Sequence, residues 1–500
     1  MPTDPDCAAR ARIAAAYDPA RFADAGRQVI ELLSNHLASV QQSREQVLHW
    51  REPMANRDEA KVMLDGTRRE GPEAFSASLA ELVKHTLSRG QTLHDPRYIG
   101  HQVPPPIPMA GLFEAVSAVT NQAMAIYEMG PWATGVEEAM VQTLGEALGF
   151  APGVFTGFVT SGGSLANLTA LLTARNAAMA QAWRQGMTQA RPRPVIIASG
   201  ESHYCVARSA GILGIGSDNV ARAPVDHRLR MDPSALEALL ADLKRKGTTV
   251  IAVVASACST RTGAFDPLEA ISGVCASHGA WLHVDAAHGG AACLSDRYRH
   301  LIRGIEHADS VVWDAHKMLH VPALCTFVFY RDKRHRSSAF EQDAPYLYDP
   351  TVPHLAEHDS GLATMECTKR AAALGLWGTW CLFGRGLFRD IVETTFDMGR
   401  RFWELLSEAD DFIALHEPMC NIIMFRHLPP LLRGADAATV GAFQFQLRRR
   451  VIEAGRYYLV PGKWDGQGAL RCVITNPLTT VDHLRGLMAE LREQGRELLQ

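Results

Sequence analysis

The stretch His283-Val284-Asp285-Ala286-Ala287-His288-Gly289-Gly290, with Asp314-Ala315-His316-Lys317 after it, decides the fold. Ala280 to Val284 alternates apolar and polar residues up to an aspartate, and Ser310 to Trp313 is a second short run that ends just ahead of a lysine. Between them Arg297 to Glu306 reads as helix, so the unit predicts strand-helix-strand with the two strands parallel. A parallel crossover carries both strand ends to one edge of the sheet, where α/β proteins place their ligands. Asp285 and Lys317 are therefore expected to face one crevice. Taken singly, each is equally well read as a loop-entry carboxylate or a solvent-facing amine.

Working outward, Phe155 to Thr160 is strand-like and ends in Ser161-Gly162-Gly163-Ser164, after which Leu165, Leu168, Leu171 and Leu172 mark a helix. A strand, a glycine turn and a helix start present free amides and a positive dipole end to an anion, and Ser161 and Ser164 can add hydroxyls. The plainer alternative is a turn with a serine cap. Val195 to Ala198 is a short strand followed by His203. Val250 to Ala257 is a near-continuous apolar run, as for a strand buried on both faces. It leads into Cys258-Ser259-Thr260 and then Asp266-Pro267, which predict an N-cap and first position for a helix closed by Gly279.

On the amino side, residues 1–98 look helical. Val29, Ile30, Leu32, Leu33, Leu37 and Val40 fall on one stripe, and Phe75, Leu79, Leu82 and Val83 on another. Gly100-His101-Gln102 and the prolines 104, 105, 106 and 108 form a stiff extended segment. On the carboxy side, Leu374 to Phe402 and His483 to Leu498 read as helices, and Ile413 to Phe425 and Ala469 to Thr475 as strands, giving a smaller α+β part. Arg471 lies within an otherwise apolar strand, where an ordinary ion pair is the bland reading.

The chain has 500 residues, 47% hydrophobic and 21% charged, with a net charge of −4. It is long enough for two or three domains and shows no bias toward nucleic acid or an anionic membrane. Its ten cysteines are scattered with no CxxC pair, which fits reduced thiols in a cytoplasm rather than disulfides or zinc. Met1 to Arg12 lacks an apolar core, so secretion is not expected, and no apolar run approaches the roughly 20 residues that cross a bilayer.

These separated motifs, in this order, resemble the group II pyridoxal-phosphate amino-acid decarboxylases, the family of the glutamate, cysteine sulfinate, 2,4-diaminobutyrate and aromatic L-amino-acid decarboxylases. The resemblance covers most of residues 94–480. It implies a fold-type-I α/β enzyme whose large domain (99–385) holds a mostly parallel sheet of seven-stranded type flanked by helices. An amino-terminal helical segment (1–98) would dimerise and a small α+β domain (386–500) would follow. Lys317 would carry pyridoxal 5'-phosphate and Asp285 would keep its ring nitrogen protonated. The Ser161, Gly162, Gly163, Ser164 turn and His316 would bind the phosphate. His203 would stack on one face of the ring, and Ala287 would cover the other. Ser259 and Thr260 stand in a segment that is usually Gly-Thr-Thr in the family. Gln102 and Arg471 are implied substrate contacts, with the arginine binding a carboxylate. His288 replaces a residue that is commonly Tyr or Trp, and Asp314 one that is commonly Asn. An ionised Asp314 near a phosphate is expected to turn away or pair with a cation.

Tyr127-Glu128-Met129-Gly130-Pro131 favours the acidic-amino-acid branch, so the implied reaction is decarboxylation of glutamate, aspartate, cysteine sulfinate or 2,4-diaminobutyrate by a homodimer with a shared active site. An aromatic substrate, or an aldehyde-forming variant, is the alternative. The segment from Arg334 to Thr364 is aperiodic and proline-bearing, and a loop this long is usually functional. In the family its tyrosine protonates the substrate carbon in the partner's site. Aligning Asp359-Ser360-Gly361 and Met365-Glu366-Cys367 puts that position at or near His354, with Tyr346 and Tyr348 as rivals, and loss of the tyrosine is associated with aldehyde formation. His354-Leu355-Ala356-Glu357-His358 also matches the H-x-x-E-H zinc pattern, which needs a helix to bring both histidines to one face. Pro353 and Ser360-Gly361 leave barely a turn for one, so zinc hydrolysis is the remote alternative.

Overall fold

The computed structural model describes residues 5–65, 72–187, 192–341, 348 and 351–500. Four helices lead: α1 (Pro5–Ala16), α2 (Pro19–Gln41), α3 (Pro53–Asp65) and α4 (Pro72–Arg89). The Asp18 carboxylate accepts the Ala20 amide at 3.0 Å and Pro19 takes the first helical position, a cap of about 1 kcal/mol. The apolar stripes foreseen on this segment exist but are only partly covered. Ile30 and Leu33 on α2, and Phe75 and Leu82 on α4, stay exposed. The proline segment enters α5 (Pro108–Thr120), and α6 (Pro131–Leu148) then packs on β1 (Thr156–Thr160).

The large sheet is built in the order in which the chain meets it. After β1 come α7 (Gly163–Ala178), the short α8 (Ala182–Gln185), β2 (Val195–Ser199), α9 (Cys205–Ile212), β3 (Val220–Ala223) and α10 (Pro233–Arg245). Then follow β4 (Val250–Ser256), α11 (Leu268–His278), β5 (Leu282–Asp285), β6 (Ser310–Asp314) and β7 (Thr326–Tyr330). Seven strands lie in the order β1-β7-β6-β5-β4-β2-β3. Strands β6, β5, β4, β2 and β3 are parallel, while β7 runs antiparallel to both β6 and β1. Two reversals cancel, so β1 points the same way as β6. The turn after β1 and the Asp314–Lys317 segment after β6 therefore emerge on one edge, joined there by the ends of β2, β4 and β5.

Two local expectations are corrected. The β5–β6 crossover is not an α-helix but a series of 3-10 turns at Gly289–Leu294, Arg299–Ile302 and Ile305–His307. Gly304 interrupts it in a left-handed conformation (φ 93°), against the α11 backbone where a Cβ would lie 2.5 Å from Glu269. Asp266 does not cap α11 either. It is buried and accepts the Met231 amide at 2.6 Å and the Ser256 amide at 2.7 Å, stitching the end of β4 to the entry of α10. The predicted closure at Gly279 holds, in the left-handed form that glycine tolerates.

A long helix, α12 (Leu374–Glu408), is broken at Gly384 (φ 69°, ψ 177°) and leads into the small sheet. That sheet holds β8 (Phe412–Ala414), β9 (Ile422–His427), β10 (Val460–Trp464) and β11 (Gln467–Val473), in the antiparallel order β10-β11-β9-β8. It is covered by α13 (Ala437–Ala454) and α14 (Val481–Leu499). The run from Ile413 to Phe425, read as one strand, folds back on itself because Pro418 cannot continue a ladder. Each sheet has its own core: Trp313, Phe327 and Phe329 are fully buried in the first, and Phe402, Phe425 and Leu447 in the second.

Candidate active site

The strand ends enclose a cavity of about 120 Å³ whose walls include Lys317, Asp285, Ala287, His203, Ser164 and Gln102. Lys317 follows β6 by three residues, and its amine lies 3.0 Å from an Asp314 oxygen. Burial pushes that ammonium down, but the Asp314 and Asp285 carboxylates outweigh it, so its pKa is raised. Asp285 ends β5 with its carboxylate turned inward, Oδ1 accepting the Ala287 amide at 3.2 Å. Burial pushes this carboxyl upward against the pull of Lys317. A buried carboxylate in this state gains from a cationic N–H.

A chain of side chains fixes Asp285 from behind. The Trp281 indole donates to the Ser310 hydroxyl at 2.9 Å, and that hydroxyl meets His283 Nδ1 at 2.8 Å. With Nδ1 accepting, His283 Nε2 donates to Asn167 Oδ1 at 2.9 Å. Asn167 in turn donates to the Gly163 carbonyl at 2.8 Å and hydrogen-bonds Asp285. His283 is fully buried, and burial holds its pKa down at about 4, so it works as a neutral imidazole. Asn167 escaped the sequence reading. Its only signal is a polar residue one helical turn into the leucine-rich run after the glycines.

The turn before α7 has the shape expected of an anion seat. Gly162 adopts φ 101°, and α7 starts at Gly163. Among the described residues, the Gly163 and Ser164 amides have no acceptor, whereas the Ser161 amide is taken by Glu366 Oε1 at 3.0 Å and the Gly162 amide by the Thr160 carbonyl at 2.9 Å. Gly163 and Ser164 line the cavity; Ser161, Gly162 and His316 are not among its lining residues. His316 Nδ1 lies 2.9 Å from the Cys325 carbonyl, and its Nε2 lies 3.6 Å from Asp314. His203 lines the cavity as a neutral ring, since burial and then Lys317 lower its pKa to about 4. An amine, a buried carboxylate and two unpaired amides at a helix start form a donor set that fits pyridoxal phosphate: covalent anchor, ring-nitrogen partner and phosphate seat.

Ser259 and Thr260 also face the cavity. The Ser259 hydroxyl is committed to its own turn, 3.0 Å from Thr262 Oγ1, and Thr260 presents its carbonyl to Arg471. Arg471, on β11, also donates to the Arg261 carbonyl at 3.1 Å and to Gln102 Oε1 at 3.4 Å. Among the described residues no carboxylate pairs with it, and burial pulls its pKa down to about 10. Cys258, where a glycine is usual in the family the sequence resembles, lines the cavity and reaches Cys420 Sγ at 3.9 Å. His288 lies in the wall with Nε2 2.9 Å from Asn421 Oδ1, and burial drives its pKa to about 3.

The loop candidates fall elsewhere. His354 is exposed in the 3-10 turn Pro353–His358 and does not line the cavity. Tyr346 lies outside the described residues, and the Tyr348 hydroxyl packs against Gly361. At three residues per turn, a 3-10 helix sets residues four apart about 120° from each other, so His354 and His358 do not share a face. His358 pairs instead with Glu138 at 2.8 Å. Among the described residues no group of three or more His, Cys, Asp or Glu side chains is arranged to hold a metal ion.

A half-buried lysine and a buried aspartate at parallel strand ends, with free amides beside them, suit an enzyme that works through an aldehyde coenzyme held on an amine. The pyridoxal-dependent decarboxylase conserved domain matches residues 72–428, and the chain belongs to that family. It is 28% identical over 494 residues to the acidic amino acid decarboxylase GADL1 of Bos taurus, covering 96% of this chain and 93% of the relative. Its structure superposes on mouse CSAD with a TM-score of 0.84 at 27% identity, covering 96% of this chain and 99% of that one. The Oryza sativa TDC structure with PLP and tryptamine matches with a TM-score of 0.87 at 21% identity, which speaks for the fold alone. The chain is a pyridoxal-phosphate-dependent amino-acid decarboxylase, a carboxy-lyase. No helix among the described residues is long and apolar enough to cross a membrane.

Proposed function

We propose that the substrate is an acidic L-amino acid and that Arg471 receives one of its anionic groups. The observation that carries this reading is a guanidinium buried beside the cavity with carbonyl acceptors but no carboxylate among the described residues. Such a charge is costly unless an anion completes it. The names of the relatives, acidic amino acid decarboxylase among them, support the same class. When bound, pyridoxal phosphate supplies an electron sink for the pair left on Cα as CO2 departs. Lys317 would hold the cofactor through its amine. Asp285, held by the Asn167–His283–Ser310 chain, keeps a proton on the ring nitrogen. Gly163 and Ser164 offer amides to the phosphate, and His203 and Ala287 flank the ring as neutral surfaces. Gln102 steadies Arg471. Ser259 holds the turn from which Thr260 offers its carbonyl to Arg471, and His316 acts from behind Asp314.

The enzyme works as a homodimer in which His354 of one subunit serves as proton donor in the partner's site. Leu112, Val116 and Val119 on α5 and Trp132 on α6 remain exposed in the single chain, together with the α2 and α4 stripes, and an apolar face of this extent needs a cover. All ten thiols are unpaired, in keeping with a cytoplasmic enzyme. Incubation with glutamate, aspartate, cysteine sulfinate, 2,4-diaminobutyrate and aromatic amino acids, with CO2, amine, aldehyde and peroxide measured, tests substrate and product together. Amine from an acidic substrate is expected. Turnover of aromatic substrates alone overturns the Arg471 reading, and aldehyde with peroxide removes His354 as the effective donor. Mixing Lys317→Ala and His354→Phe chains should restore activity if the sites are shared.

A further inference from the structure

The amides that open α7 do not face neutral surroundings. Asp314 turns its carboxylate toward Gly163, so that a Cβ placed there would lie 3.0 Å from each of its oxygens. The group is buried and held from two sides: the Thr326 hydroxyl donates to Oδ1 at 2.7 Å, and the Lys317 ammonium lies 3.0 Å from Oδ2. It can neither swing away nor donate a hydrogen bond while ionised. A phosphate seated at Gly163 and Ser164 thus meets a fixed like charge. The cation that neutralises this carboxylate is also the amine that capture of the cofactor consumes.

The other groups around Asp314 give little relief. Asp285 on β5 is a second carboxylate, and His203 ahead of α9 and His288 after β5 are neutral through burial. Cys205 on α9 and Cys325 ahead of β7 are thiols whose pKa values burial raises. Besides Lys317, the basic side chain nearest to it among the described residues is His316, whose Nε2 lies 3.6 Å away.

We propose that Asp314 sets the affinity for the cofactor by opposing its phosphate and clamping Lys317, so that pyridoxal phosphate is held chiefly by its ring and aldehyde end and exchanges readily. The proposal rests on the reading that the phosphate sits at the 161–164 turn, and the test separates the two. Cofactor-stripped enzyme is titrated with pyridoxal phosphate, with pyridoxal and with inorganic phosphate, following tryptophan fluorescence, for the natural chain, Asp314→Asn and Ser164→Ala. Taking the ratio of the two aldehyde affinities cancels any change in the basicity of Lys317. In Asp314→Asn, the preference for pyridoxal phosphate over pyridoxal should rise about tenfold or more, with tighter inorganic phosphate binding. In Ser164→Ala, which removes the hydroxyl that stands beside the free amide, that preference should fall. If Ser164→Ala lowers it while Asp314→Asn leaves it unchanged, the phosphate seat stands and the role of Asp314 is overturned. If neither variant moves it, the seat itself is wrong and the inference goes with it. Should Asp314→Asn fail to fold, Asp314→Ser carries the same comparison.

Discussion

Among the described residues, two lysines pair with buried carboxylates, and they sit in opposite settings. Lys369 lies 2.6 Å from Glu137 and donates to the Val159 carbonyl at 2.7 Å, while Glu137 accepts the Val159 amide at 3.1 Å. That pair is closed on itself beneath β1, and burial outweighs Glu137 to leave the lysine pKa lowered. Lys317 has a single contact at 3.0 Å, a second carboxylate nearby and a cavity in front of it. Burial lowers its pKa too, but two carboxylates reverse the sign. A lysine whose contacts lie inside the fold is a staple, whereas one with excess negative charge around it and space ahead is placed as a reagent.

The sharpest way to break the comparison is to delete each amine. Lys317→Ala should lose about 10³-fold or more in turnover per folded molecule, because it removes the amine that faces the cavity. Lys369→Met leaves Glu137 buried and unpaired, and should cost about 3–5 kcal/mol in denaturant unfolding while leaving cofactor absorbance intact in the folded fraction. Equal losses of activity in both variants, tracking folded fraction alone, would erase the distinction. Arg471→Met is expected to be milder, lowering kcat/KM for an acidic substrate by about 10- to 100-fold through loss of charge-assisted hydrogen bonds, with cofactor binding unchanged.

Acid should act through three buried histidines. His283, His288 and His320 are buried, with pKa values pressed down by burial to about 4, about 3 and about 4. The unfolded chain binds protons below its ordinary value of about 6.5, and the fold does not, so stability is full above pH 6.5 and falls as pH drops toward 4. Each histidine should contribute about 1.4 kcal/mol per pH unit across that window. Urea midpoints at pH 7.5, 6.5 and 5.5 check the sign: little change over the first interval and a clear drop over the second. A rise on acidification would contradict it.

Asp285 and Lys317 were legible because each ends a buried strand, and the direction of parallel strands converts sequence order into proximity. The turn at Ser161–Ser164 was legible for the same reason, although only Gly163 and Ser164 keep free amides. Asn167, Glu366 and Cys258 were not, because their roles depend on partners elsewhere in the chain, as the 205 residues between Ser161 and Glu366 illustrate. Thr326–Tyr330 escaped because an apolar run does not reveal which neighbours it joins. The crossover after β5 misled because helical periodicity was satisfied while Gly304 needed a left-handed backbone. His354 was placed by alignment, and a lone chain gives it nothing to reach.

Arg471 belongs to the small antiparallel sheet, yet two of its carbonyl acceptors, on Thr260 and Arg261, follow β4 of the large one. The residue proposed to discriminate among amino acids is thus also a rivet between the two sheets. A chain whose small sheet works loose would keep its coloured coenzyme and lose its sense of which amino acid it holds, so fidelity should fade before colour does.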